Sequence, residues 1–120
     1  EFSHENDLLD IRVGNSTYDA VDIFYEGKTP IALNPPWDGG FTWKKDKLGN
    51  DWMGFSSQGE GGKVFMPALN HPSSEALEGV DLLITVPKPY YVAGNGRLDQ
   101  IQQEGEKLTY YWRTDYPINN

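Results

Sequence analysis

Apolar and polar residues alternate along four segments of the chain, as they do in β-strands that bury one face. The same-face positions of these segments are Leu9, Ile11 and Val13 in "LLDIRV"; Val21, Ile23 and Tyr25 in "YDAVDIFYEG"; Val80, Leu82, Ile84 and Val86 in "GVDLLITVP"; and Leu108, Tyr110, Trp112 and Tyr116 in "KLTYYWRTDY". Many of these positions hold β-branched or aromatic residues, which favour strands. Because no stretch has a long 3.6-residue period, the pattern predicts an all-β protein.

Turn signals separate the predicted strands. Residues 46–50, "DKLGN", lie between "FTWKK" and "DWMGFSSQ" and predict a hairpin loop. Asn95-Gly96 is the strongest short hairpin signal, since both residues accept positive φ. Residues 71–79, "HPSSEALEG", predict at most one helical turn, capped by Ser73 or Ser74. We expect one domain over residues 1–120, an antiparallel β-sandwich or saddle-like pair of sheets.

The charge of the chain narrows the classes of partner. Among its 120 residues are 18 acidic and 10 basic ones, and the formal net charge is −8. This balance argues against nucleic acid and against an anionic membrane surface, because both are bound through lysine and arginine. The chain has no cysteine, which excludes disulfides and thiolate sites. No apolar run approaches the ~20 residues of a membrane helix.

Metal and nucleophile motifs are weak. "HENDL" begins like the zinc motif His-Glu-x-x-His, but Leu8 occupies the position of the second histidine. The other histidine, His71, lies far along the chain, and no segment of the sequence resembles a nucleophile elbow. The sequence therefore predicts no catalytic residue, no metal site and no cofactor in this chain.

Residues 34–62 concentrate aromatic side chains, with three of the four tryptophans of the chain. One interpretation is a ligand platform, such as a sugar-binding face, built on Trp37, Trp43 or Trp52. The other is packing within and between strands, with Trp43 and Trp52 on opposite arms of one hairpin, where aromatic cross-strand pairs are common.

Gln58 and Glu60 form a second candidate site. If "QGE" lies in a strand, the two side chains share one face, since residues i and i+2 do so. An amide oxygen beside a carboxylate suits an ammonium group, and the neighbouring glycines let another backbone approach. The alternative is a solvated polar surface.

The chain resembles the N-terminal domain of the M1 family of zinc aminopeptidases, the aminopeptidase N-like gluzincins. The resemblance covers about residues 18–120. The segments that carry it are "NPPWDGGFTWKKDKLGNDWMGFSSQGEGGKVFMP", "HPSSE", "LLITVPKPYYVAGNGRL" and "YYWRTDYPINN". Their order and spacing agree with the family, and the first and last are typical of one bacterial branch.

The resemblance implies a saddle-shaped β-domain that precedes a thermolysin-like catalytic domain. In the family, the zinc ligands lie downstream of this segment, so the chain is expected to be inert alone. Gln58 and Glu60 match a pair that binds the free amino terminus of the peptide substrate. The implied partners are the chain's own catalytic domain and a peptide N-terminus. A bacterial cell envelope or periplasmic location is favoured over the cytoplasm.

Two other functions stay open on the sequence. The chain could be a stand-alone β-sandwich that binds glycan or peptide through its tryptophans, or a purely structural module. Because no sheet-closing feature is visible, we also expect open sheet edges and edge-to-edge dimers of the isolated chain.

Overall fold

The computed structural model describes residues 1–14, 17, 20–69, 71, 73–74 and 76–117. The predicted all-β class is confirmed, since seven strands form three antiparallel sheets and the one helix in these ranges is the short 3-10 helix Gly62–Val64. Backbone contacts divide the chain into two compact units, residues 1–70 and residues 71–119. A single domain over residues 1–120 stays a prediction.

The first unit begins with a hairpin of β1, Phe2–Glu5, and β2, Leu8–Ile11. Asn6 and Asp7 connect the strands with φ values of 51° and 62°. Positive φ at both central residues is the signature of a type I′ turn, whose twist matches that of the flanking strands. The sequence pattern identified β2 but missed β1, which pairs with it residue for residue.

The second hairpin of this unit joins β3, Gly40–Lys45, to β4, Asp51–Ser56. Its loop is residues 46–50, as predicted. The register is set by cross-strand partners that include Phe41↔Phe55, Trp43↔Met53 and Lys44↔Trp52. Since direct partners share a face, Trp43 and Trp52 lie on opposite faces. The expected Trp43–Trp52 pair is therefore wrong, because the five-residue loop brings Met53 opposite Trp43.

One face of the β3–β4 hairpin carries a cluster of aromatic rings. The rings of Phe41 and Phe55 are 5.3 Å apart, and Phe65 approaches Phe55 edge-on at 4.7 Å. Such tilted and edge-to-face contacts are favourable for aromatic pairs. Trp43 lies at the margin of this cluster, with its ring 6.4 Å from that of Phe41.

The strand predicted over residues 18–27 is wrong for the residues that the structure describes there. Residues 20–30 have no strand assignment, and Phe24 is 95% exposed. The chain reaches the sheet only later, where Phe41 donates its backbone N–H to Pro30 O at 2.8 Å and Ala32 donates to Phe41 O at 3.0 Å. Alternation marks a possible strand, but a strand also needs a partner to satisfy its backbone groups.

The second unit is a three-stranded sheet of β5, Val80–Pro87, β6, Arg97–Glu104, and β7, Lys107–Thr114. The order is β5-β7-β6, so β7 is central. The predicted alternation of β5 is confirmed by its regular change between half-buried and exposed residues. The apolar face pairs residues across β5 and β7 as Leu82↔Trp112, Ile84↔Tyr110 and Val86↔Leu108.

Residues 88–96 connect β5 to β6 and contact the apolar face of the sheet. Tyr110, only 2% exposed, donates its hydroxyl hydrogen bond to Tyr90 O at 3.2 Å, and the Tyr91 ring meets the Tyr110 ring edge-on at 5.3 Å. Gly94 lies against the indole of Trp112, where a methyl group would come within 2.8 Å of Cγ. Tyr110 is therefore the centre of packing in this unit.

The hairpin predicted at Asn95-Gly96 is wrong, because β5 and β6 are not neighbours in the sheet. The hairpin turn of this unit is instead Gly105-Glu106, between the paired residues Glu104 and Lys107. Gly105 has φ +57°, and positive φ at the first central position alone is typical of a type II′ turn. The polar segment that became β6 carried no clear apolar alternation, so the pattern missed it.

The helical turn predicted within residues 71–79 is absent from the described part of that segment, which forms bends and turns. His71 Nδ1 lies 2.7 Å from Ser73 Oγ, and the Ser73 backbone N–H donates to the same nitrogen at 3.2 Å. Ser74 donates its backbone N–H to His71 O at 2.9 Å. The serines thus close a local turn around His71 instead of capping a helix.

Replacing Gly96 with alanine should strongly destabilise the second unit. Gly96 has φ +90°, and a methyl group there would lie 2.7 Å from Oγ1 of Thr114 and 2.8 Å from the carbonyl carbon of Arg113. We expect Gly96→Ala to cost about 3 kcal/mol in urea unfolding, from strain and overlap together. Gly105→Ala is the matched control, since its φ is also positive but its surroundings are open, and about 1 kcal/mol is expected. Equal costs for the two variants would contradict the close approach at Gly96.

Acid should weaken the β3–β4 loop through Asp46. Asp46 Oδ1 accepts the backbone N–H groups of Leu48 and Asn50 at 2.8 Å each, and its Oδ2 accepts the Asn50 side-chain amide at 2.9 Å. The hydrogen bond from the Asn50 side chain, followed by the backbone ones, lowers the pKa of Asp46. Because the folded pKa lies below the unfolded one, this stabilisation is complete above the unfolded pKa and is lost as the pH falls through the folded pKa, below about pH 4.

Asp46→Ala should therefore lower the free energy of unfolding at pH 7 and have a smaller effect at pH 3. Urea titrations of both proteins at the two pH values measure this difference. An effect of the same size at pH 7 and pH 3 would show that the carboxylate does not act through its ionised form.

Candidate functional site

Gln58 and Glu60 lie in a turn that follows β4, and the expectation of a strand at these residues is wrong. The backbone N–H groups of Glu60 and Gly61 both donate to Ser57 O, at 3.1 and 2.8 Å. Gly59 and Gly61 have φ values of 76° and 73°, which end the extended conformation. The two side chains are therefore positioned by turn geometry and not by the alternation of a strand.

The position of Glu60 depends on Gly39. A methyl group on Gly39 would lie 2.5 Å from both Cβ and Cγ of Glu60 and 3.1 Å from Cγ2 of Val64. The aliphatic part of Glu60 thus packs directly on the Gly39 backbone. This contact fixes the start of the side chain and leaves the carboxylate at the surface.

The Glu60 carboxylate already contacts one ammonium group. Lys63 Nζ lies 3.6 Å from Glu60 Oε2, and the two side chains are 43% and 53% exposed. A pair as exposed as this contributes between 0 and 1 kcal/mol, so another cation can replace Lys63 at little cost. The Gln58 side chain makes no hydrogen bond to the residues that the structure describes, and it is exposed. The turn thus presents one acceptor that is weakly occupied and one amide that can donate and accept.

The described residues contain no group of three or more His, Cys, Asp or Glu side chains that could hold a metal ion. His4 lies in β1 opposite Leu9, and His71 is bound within its own turn.

No helix among the described residues has the length and apolar character needed to cross a membrane.

A charged cluster that the sequence analysis did not identify covers the other face of the second unit. Arg113 donates from Nη1 to both carboxylate oxygens of Asp81 at 3.1 Å, from Nε to Asp115 at 3.0 Å, and from Nη2 to the backbone carbonyl of Glu78. Hydrogen bonding to Asp115, and then to Asp81, raises the pKa of Arg113. Because the N–H donors of Arg113 are bound by neighbouring residues of the same unit, we interpret its role as structural.

A second arginine extends this cluster. Arg97 donates from Nε to Asp99 at 2.6 Å, which lowers the pKa of Asp99 and raises the pKa of Arg97. A depression of about 230 Å³ beside the cluster is lined by seven residues, Asp81, Leu83, Asp99, Gln100, Tyr111, Trp112 and Arg113. The signal in the sequence was the repeated Arg-x-Asp spacing in "RLD" and "RTD", whose arginines each donate a hydrogen bond to the aspartate two residues on.

The three tryptophans of residues 34–62 are all more than half exposed, at 63% for Trp37, 57% for Trp43 and 51% for Trp52. Trp43 borders the aromatic cluster of the β3–β4 hairpin, whereas Trp52 lies on the opposite face. Packing between strands therefore describes the face of the hairpin that carries Phe55. An exposed indole that could meet a ligand lies on the other face, at Trp52.

No protein-family model, no curated protein and no solved structure gives a significant match to this chain.

The contact between Gly39 and Glu60 can be tested by a double-mutant cycle. Gly39→Ala should cost about 2 kcal/mol in urea unfolding, because the new methyl group meets the stem of Glu60 and its turn must move. In a Glu60→Gly background the same substitution should cost less than about 1 kcal/mol, since both overlapping carbons are gone. If Gly39→Ala costs the same in both backgrounds, the two residues are not in contact.

Proposed function

We propose that this chain is a non-catalytic β-domain of an M1-like zinc aminopeptidase, in which Gln58 and Glu60 help to bind the free amino terminus of the peptide substrate. The proposal rests on the sequence resemblance over residues 18–120. The observation that carries the site is the exposed Glu60 carboxylate, which is held by Gly39 and lies within 3.6 Å of a primary ammonium group.

The chemistry of this pair suits an amine. A protonated α-amino group has three N–H donors, and a carboxylate and an amide oxygen both accept them. A hydrogen bond between ionised groups is about twice as strong as a neutral one. An acceptor pair of this kind favours a free terminus over an acylated one, because acylation removes both the charge and two donors.

Lys63 supports the same interpretation. Its ammonium group occupies the position that a substrate amine would take beside Glu60. Because the pair is exposed, the flexible lysine can leave when a better-placed amine arrives. Lys63 then acts as an internal competitor for the site.

The hydrolytic chemistry belongs to a catalytic domain outside this chain. The resemblance assigns the zinc to that domain, where it would supply the activated water. The role of this chain is to pack on that domain and to bind the peptide end. A bacterial cell envelope or periplasmic location, and edge-to-edge pairing of the isolated chain through the edge strands β5 and β6, belong to the same proposal.

The test uses the longer protein in which this chain is proposed to lie. Glu60→Ala should lower kcat/KM toward amino-acid anilides by about 10- to 100-fold, which corresponds to the 1.5–3 kcal/mol of a hydrogen bond to a charged group. Lys63→Met is the matched control in the same turn, and it should leave kcat/KM unchanged or raise it by a few fold. Unchanged kcat/KM in Glu60→Ala would exclude the proposed role of this residue.

The open tryptophans favour a second candidate function, a stand-alone module that binds glycan or peptide. A gene that encodes no His-Glu-x-x-His after this segment would favour that function over the first. A purely structural role would be favoured if neither Glu60→Ala nor substitution of the tryptophans changed any binding or activity.

A further inference from the structure

Trp52 packs against its own strand. It shares a face with Gly54, two residues along β4. A methyl group on Gly54 would lie 2.9 Å from Cζ3 and 3.0 Å from Cζ2 of the indole, with Cη2 closer still. The glycine therefore leaves room for the six-membered ring beside the backbone, while 51% of the residue stays exposed.

The ring has no aromatic partner among the described residues. The ring contacts among the described residues of this unit all involve the opposite face of the hairpin, where Phe41 contacts Trp43 and Phe55, and Phe65 contacts Phe55. An indole that packs on the backbone and stays half exposed can stack against the flat face of a ligand ring.

Positive charge accompanies this open ring. Lys44 is the direct cross-strand partner of Trp52 and shares its face. Neither Lys44 nor Lys47 of the adjoining loop makes an ion pair with the described residues, whereas Lys45 on the opposite face pairs with Asp51. The carboxylate of Asp46 is occupied by hydrogen bonds from its own loop. Two uncompensated ammonium groups thus lie on this hairpin of a chain whose net charge is −8.

We propose that Trp52 and Lys44 form a binding site for an acidic saccharide, that is, an oligosaccharide containing uronic acid. The C–H face of a pyranose ring stacks on the open side of the indole, and the Lys44 ammonium group binds the carboxylate of the sugar. The charge of the hairpin is complementary to this ligand, and the planar ring matches the flat apolar face of the sugar.

This site is independent of the one proposed at Gln58 and Glu60. It uses residues of the β3–β4 hairpin and a different ligand, so a failed saccharide titration would leave the proposal for the amine site unaffected.

In the experiment, ligand is titrated into the full 120-residue chain, and binding is measured by tryptophan fluorescence and by calorimetry. The ligands are tetragalacturonate and its methyl ester, which has the same ring faces without the charges. We expect saturable binding of tetragalacturonate and at least tenfold weaker binding of the methyl ester. Trp52→Ala should weaken the binding of tetragalacturonate at least tenfold, and Trp43→Ala, on the opposite face, should change it less than twofold.

Lys44→Met separates the two parts of the site. It should reduce the affinity for tetragalacturonate at least fivefold and remove the preference over the methyl ester, while the ester itself binds as before. Amide spectra of each variant verify that the hairpin is folded. The proposal is overturned if tetragalacturonate gives no saturable binding, or if Trp43→Ala is as damaging as Trp52→Ala. It is also overturned if Trp52→Ala abolishes self-association instead, since a second copy of the chain would then cover the ring.

Discussion

The second unit depends on the packing of one aromatic side chain, Tyr110. Its strand is central and pairs on both sides, and its ring is the largest buried group among the described residues. The hydroxyl group binds a carbonyl of the connection between β5 and β6, so the same side chain joins the sheet to the segment that crosses it. Because a buried hydroxyl needs a partner, that connection is held in one position. The apolar face and the charged face of the sheet are arranged on either side of this strand.

In the first unit, the two faces of the β3–β4 hairpin differ in their contacts. Phe41 and Phe55 pack with Phe65 on one face. The other face carries Trp52 and Lys44, which have no such partners among the described residues. The turn with Gln58 and Glu60 follows directly after the same strand, so packing on one face supports both proposed sites.

The sequence pattern was sufficient to predict a strand where an alternating segment also has a neighbouring strand to pair with. β5 and β7 alternate clearly, each is long, and they pair with each other, so these strands and their apolar face were predictable. The extension of the β7 pattern to Tyr116 was wrong, because β7 ends at Thr114 and Tyr116 is 93% exposed. The loop at residues 46–50 was predictable because its glycine and asparagine lie between two apolar runs. β6 was missed since its edge position leaves it mostly polar, and residues 18–27 were overestimated because alternation alone does not provide a partner.

The candidate sites were predictable as residues but not as geometry. Gln58 and Glu60 were singled out by their types and their glycines, and those same glycines turn the chain out of the strand that the spacing suggested. The full Arg113 cluster was missed, because the contact of Arg113 with Asp81 joins segments that only the strand order brings together. The faces of Trp43 and Trp52 depended on register, which the loop conformation determines and the local pattern does not.

The contact between Glu60 and Gly39 links the turn after β4 to the segment that precedes β3. A ligand that restrains the Glu60 side chain would also restrain the backbone of Gly39, on which Cβ and Cγ of Glu60 pack. Occupancy of the turn would then slow amide hydrogen exchange around residues 37–40, at a distance from any atom that the ligand touches. The polypeptide preceding β3 is in this sense a part of the binding surface that contributes rigidity and no functional group.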